Sequence, residues 1–239
     1  MKILKRFYRF ILHAFFPTRC GVCGEVTEYG KAICSECEKN IYPLNMPVCH
    51  KCGASMEDHD AFLCNGISAE VIGAYYYGGK VKKLIIQLKD NVYIENFYMF
   101  RLAFFERIAI EYADINFDIT VAVPSYQIGR RKKKNCSELI AEETAEHFML
   151  KFVPDALIKC RETQKQHMLN GEERLTNLKG SIIFNSDKAD AINGKTVLLC
   201  DDVKSTGSTL NECISALYKA GAKKVYCACI CVSDYTIKT

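Results

Sequence analysis

Asp201-Asp202 and the hydroxyl-rich run Ser205-Thr206-Gly207-Ser208-Thr209 are the residues of this chain whose types and spacing carry the clearest chemistry. Two adjacent carboxylates accept hydrogen bonds from vicinal sugar hydroxyls. A short loop of small hydroxylated residues ahead of a helix offers backbone N–H groups and hydroxyls to a phosphate dianion. Together they suit a ribose 5-phosphate. The elements that must position them are legible on either side. Val197 to Cys200 is a short uninterrupted apolar run, as in a strand buried on both faces of a parallel sheet. From Thr209 a helical pattern places Leu210, Ile214 and Leu217 on one face and stops at Gly221. Strand, loop and helix in this order put the acids at the carboxyl end of a strand, where open α/β sheets bind ligands. Gly194-Lys195-Thr196 imitates the end of a P-loop, but Ala189 stands where that motif needs its first glycine and a strand follows. No Gly-x-Gly-x-x-Gly follows a strand, so a dinucleotide fold has no support.

A second chemistry is metal binding. Cys20-x-x-Cys23 and Cys34-x-x-Cys37 form two knuckles whose thiolates can complete a tetrahedral structural Zn2+ site. Cys49-x-x-Cys52 and Cys64 supply three thiolates for a second zinc, with His50 and His59 as possible fourth ligands; the alternative is a degenerate ribbon without that metal. Seven of the fourteen cysteines crowd between Cys20 and Cys64, which favours metal over disulfides and a reducing, cytoplasmic setting. Positive charge is concentrated in Arg130-Arg131-Lys132-Lys133-Lys134, between a strand at Ile119 to Val123 and a helix from about Ser137 to Leu150. Such a run suits a polyphosphate or a nucleic-acid backbone. Lys80, Lys82, Lys83 and Lys89 form a further basic face on a short helix, with a solvated surface as the plainer explanation. Net charge is only +4, so no global argument for nucleic acid exists.

The chain's 239 residues accommodate a main domain and a small one, and 49% hydrophobic content supports a buried core. Residues 1–19 read as a basic amphipathic helix with Ile3, Leu4, Phe7, Phe10, Ile11 and Phe15 at helical spacing; self-packing, a membrane surface or a secretory signal are its three readings. No apolar run reaches the ~20 residues of a membrane span. Residues 20–67 form the zinc-ribbon module and residues 70–239 the α/β domain. In the latter, Val71 to Tyr77 is a strand, Val81 to Leu88 and Glu95 to Tyr112 are helices, and Val225 to Val232 is a strand with Cys227, Cys229 and Cys231 as core thiols. The polar stretch from Arg161 to Asn177 is long for an internal connection, which points to function or mobility. Its His167 has the chemistry of a general base, with no partner visible.

The order of these features resembles the ComF family. The resemblance rests on paired cysteine knuckles, a Tyr-Gly-Gly turn with a basic helix, Val123-Pro124-Ser125, Arg161-x-Thr163-x-x-Gln166 running on to Arg174, Asn177 and Gly180, and finally Asp201-Asp202-Val203 with Ser205-Thr206-Gly207-x-Thr209. It extends from about residue 10 to residue 234. It implies a zinc ribbon joined to a type I phosphoribosyltransferase-like domain, a mostly parallel sheet flanked by helices. It implies binding of phosphoribosyl pyrophosphate (PRPP) with Mg2+, or of a nucleotide, in single-stranded DNA handling and uptake alongside competence proteins. Transfer of phosphoribose to an unidentified base with release of pyrophosphate is the alternative. By position, Val123, Pro124 and Ser125 correspond to the pyrophosphate loop, with Arg130 or Arg131 as partners. Arg161, Thr163, Gln166 and Arg174 correspond to a polar mobile segment. Where many members carry Arg-Gly-Phe-Asn-Gln, this chain has Lys132-Lys133-Lys134-Asn135-Cys136, and Ile67 replaces the family's eighth cysteine.

Overall fold

The computed structural model describes residues 17–28, 31–57, 59, 64, 66–90, 95–126, 135–161 and 180–233. Five strands form one parallel sheet in the order β1-β7-β6-β2-β3: β1 (Glu70–Tyr76), β2 (Ile119–Ala122), β3 (Lys151–Phe152), β6 (Thr196–Lys204) and β7 (Lys224–Val232). A separate antiparallel pair joins β4 (Leu157–Lys159) to β5 (Ile182–Phe184). The helices are α1 (Ser35–Glu38) in the cysteine-rich region, then α2 (Gly79–Lys89), α3 (Glu95–Glu111), α4 (Cys136–Phe148), α5 (Ala189–Ile192) and α6 (Ser208–Lys219).

The central strands are apolar because both their faces are covered. Leu198 and Cys200 of β6 and Tyr226, Ala228 and Ile230 of β7 enter one core with Phe97, Phe100 and Phe104 of α3. Val197 and Leu199, and Val225, Cys227 and Cys229, enter a second core with Leu210, Cys213, Ile214 and Leu217 of α6. The split follows the period-two alternation of strand side chains. Cys227, Cys229 and Cys231 are fully buried core thiols, but their period-two spacing does not keep them in one core: Cys231, at the end of β7, belongs to the cluster around α3. No described helix is long and apolar enough to cross a membrane.

Among the described residues the cysteine-rich region has no core of its own. Cys20, Ala32, Ile33, Cys37, Leu44 and Val48 belong to the same apolar cluster as α3. Leu44 N–H donates to Ala74 O of β1 (2.8 Å), and Val71 N–H donates to His50 O (2.8 Å). Gly53 lies so close to β1 and β7 that a Cβ there would sit 2.9 Å from Val232 Cγ1 and 3.2 Å from Gly73 N.

Candidate ligand and metal sites

The strand carrying the acids runs further than its apolar residues suggest. β7 stays in register with it to the end, pairing Cys229 with Asp201, Cys231 with Val203 and Val232 with Lys204. Asp201 and Asp202 are therefore ladder residues, and adjacent ladder residues point to opposite faces. Their surroundings differ accordingly. Asp201 lines a small pocket with Val203, Lys204, Ser205, Thr206, Gly207, Ser208, Thr209 and Leu210, of about 30 Å3. Ser137 Oγ of α4 donates to Asp201 Oδ1 (2.8 Å), and Asp202 N–H donates to the same oxygen (2.9 Å). Asp202 faces α2, where Lys89 Nζ stands 2.9 Å from its Oδ1.

Both carboxylates are almost entirely buried. Burial and the neighbouring Asp202 push the Asp201 carboxyl up to about 7. Burial works against a charged Lys89, but the Asp202 carboxylate more than compensates and holds its ammonium above the ordinary lysine range. After Lys204 the chain turns through Gly207, whose φ of +81° is left-handed, into α6. Thr206 Oγ1 and Ser208 Oγ lie 3.0 Å apart across the turn. The pocket is shallow and open to solvent.

The turn Val123-Pro124-Ser125 leaves the sheet beside the acids: Ala122 pairs with Cys200, and Val123 N–H donates to Cys200 O (3.0 Å). Asn135 caps α4 in a reciprocal capping box with Glu138, and its Nδ2 donates to Ser125 Oγ (3.2 Å). The one residue kept from the family's Arg-Gly-Phe-Asn-Gln thus tethers this turn.

The cysteines form two clusters whose ligand atoms lie within 4.8 Å of one another: Cys20, Cys23, Cys34 and Cys37, and Cys49, Cys52, His59 and Cys64. Tetrahedral zinc with Zn–S near 2.3 Å sets a sulfur–sulfur separation of about 3.8 Å. Cys23 Sγ and Cys34 Sγ are 3.7 Å apart, and Cys49 Sγ and Cys64 Sγ 4.0 Å. Burial opposes ionisation of Cys20, yet backbone hydrogen bonds at Cys23, Cys34 and Val22 bring its thiol down to about 6, while burial and the adjacent sulfurs push Cys37 up to about 12. Four sulfurs at such distances are spaced as ligands of a single cation.

In the second cluster His59 Nε2 is buried with no hydrogen-bond partner among the described residues, as a nitrogen reserved for a metal would be. His50, the other candidate, is committed elsewhere: its Nδ1 lies 3.3 Å from Glu70 Oε2 and its Nε2 3.0 Å from Glu111 Oε2. Both clusters fit structural zinc, and neither leaves an open coordination position for catalysis.

Residues 11–68 match the family model of the double zinc ribbon domain, and residues 136–236 that of the phosphoribosyl transferase domain. Competence protein F of Haemophilus influenzae is 25% identical over 226 residues, covering 88% of this chain and 95% of that protein. DNA utilization protein YhgH of Escherichia coli strain K12 is 26% identical over 216 residues, covering 89% of each. Over most of its length the chain is homologous to Competence protein F and YhgH. Phosphoribosylpyrophosphate synthetase from Mycobacterium smegmatis superposes with a TM-score of 0.33 at 20% identity, over 53% of this chain and 32% of that one.

Within this phosphoribosyltransferase-domain chain the structure gathers Asp201, Ser205–Thr209 and the 123–125 turn at one edge of the sheet. Arg161 is exposed and follows β4, in the antiparallel pair. Arg130, Arg131, Thr163, Gln166 and Arg174 lie outside the described residues. Sequence reasoning missed Ser137 as the partner of Asp201. Lys89 is exposed, as a basic helix face requires, but its pairing with Asp202 was not anticipated.

Proposed function

We propose that this chain binds PRPP, or a nucleotide bearing the same ribose phosphate, and uses that binding in handling single-stranded DNA. One observation carries the reading: Asp201 and the Ser205–Thr209 loop share a pocket at the carboxyl edge of the parallel sheet. The 5-phosphate takes the backbone N–H groups and hydroxyls at the start of α6. The ribose hydroxyls take over the bonds that Ser137 now makes to Asp201 and Lys89 to Asp202. The pyrophosphate, with the Mg2+ that accompanies it as part of the substrate, extends toward Ser125. The DNA role is supported by the names of the homologues, a competence protein and a DNA utilization protein.

Calorimetric titration with Mg·PRPP and with AMP tests the first part. The wild type binds, and an Asp201→Asn, Asp202→Asn double variant loses most of that affinity; equal binding by the two proteins overturns the assignment of these acids. For DNA, affinity for a single strand falls steeply with salt, and replacing Arg130 to Lys134 by alanine flattens the slope. An unchanged slope removes that run from the DNA site. Formation of nucleotide from labelled PRPP and any base extends the reading from binding to transfer.

A further inference from the structure

We infer that Ile67 and Ser68, at the exit of the second zinc knuckle, are positioning residues for the Ser205–Thr209 loop, so that metal in this knuckle sets the shape of the anion site. The inference rests on the reading that this loop receives a phosphate. Three contacts carry it. The first is steric: a Cβ added to Gly207 would overlap Ile67 Cγ2, so this side chain lies directly against the glycine on which the loop turns. The second is a hydrogen-bonded tie, in which Ser68 N–H and Ser68 Oγ both donate to Asn211 Oδ1 in the first turn of α6 (2.8 and 2.9 Å). Asn211 N–H in turn donates to Gly207 O (2.9 Å). The third fixes the other end: Ile67 N–H donates to Lys51 O (3.1 Å), inside the Cys49-x-x-Cys52 turn.

The path from ligand Cys64 to the contact with Gly207 is thus three residues long. Lys204 also packs against Gly207. It is buried, and its Cε lies 3.7 Å from the same Cβ position on Gly207. Ile67 does not line the pocket itself. It supports the loop from outside and leaves the anion-facing groups free of it. In this position an aliphatic side chain does what a cysteine ligand could not, because a thiolate bound to zinc is unavailable for packing.

Hydrogen exchange of the full-length protein is the test. His59→Ala lowers bound zinc from two equivalents to one. It raises exchange at 205–211 by roughly tenfold, with protection of Lys224–Val232 retained as the control for an intact sheet. Ile67→Ala and Ser68→Ala keep both zincs and raise exchange in the same segment, which separates positioning from loss of metal. Mg·PRPP affinity falls by a comparable factor in all three variants. Unchanged exchange at 205–211 in Ile67→Ala, or in His59→Ala that has lost its zinc, overturns the inference. Should His59→Ala expose the whole chain to exchange, Ile67→Ala decides. Because exchange is read without ligand, a wild type that fails to bind PRPP sinks the binding proposal and leaves this one standing or falling on its own.

Discussion

Asp201 is held at a cost that its environment makes visible. In an unfolded chain an aspartate titrates near 4, whereas burial and Asp202 raise this one to about 7. Below pH ~4 it is protonated in both states and the fold loses nothing. Between 4 and 7 the folded state holds a proton that the unfolded state has released, so this group's contribution to stability falls as pH rises, and the penalty is complete above 7. Asp201→Asn keeps an acceptor for Ser137 Oγ and for Asp202 N–H while removing the charge. At pH 8 the variant should melt above the wild type by ~1–2 kcal/mol, at about 2–4 °C per kcal/mol for a chain of this size. At pH 4.5 the two should melt together, and a pH-independent difference would refute the account. Such a site exchanges stability for function. At this scale the sequence reveals the acids and the hydroxyls, because their chemistry is in their types. It conceals Ser137, 64 positions away from Asp201, since only the fold brings that hydroxyl to the carboxylate.

Among elements, β6 shows why a strand's length is not set by its own apolar residues. The uninterrupted run ends at Cys200, yet the strand continues through two acids to Lys204 because β7 offers backbone partners to Val232. The neighbour's length is invisible in a local window, and so are the three-residue strands β4 and β5, which exist by pairing with each other. Glycines give a sharper test of what local structure demands. Gly207 turns with φ +81° and has no room for a Cβ beside Ile67, while Gly78 is extended with φ −158° and meets nothing within 4 Å. Gly207→Ala should lower stability by about 1–3 kcal/mol and weaken ligand binding. Gly78→Ala should stay within about 0.5 kcal/mol, as befits an open helix N-cap. Urea denaturation midpoints of the two variants check this, and equal midpoints would contradict the packing described.

At the scale of the molecule, the question is why a zinc ribbon travels with this α/β domain. The cysteine spacing makes the first metal site readable without a structure. For the second site only the fold shows which histidine joins Cys49, Cys52 and Cys64: Glu70 and Glu111 pair with His50, and His59 lies with the thiols. Residues 20–67 read as a module because they are poor in aliphatic residues, and that same poverty explains why they fold onto a neighbour: Ile33, Cys37, Leu44 and Val48 complete the core around α3 instead of building one. Across this seam Arg107, Glu111, His50 and Glu70 form a continuous polar clasp, with Arg107 also donating to Leu44 O. Removing the first metal should therefore weaken the whole chain and not just its amino-terminal part. A Cys34→Ser, Cys37→Ser variant should unfold in one transition, several degrees below the wild type. The thirteen tyrosines serve as the near-UV probe in a chain without tryptophan. A separate early transition, with the main one unmoved, would show instead that ribbon and sheet are independent units and that the shared core contributes no coupling between them.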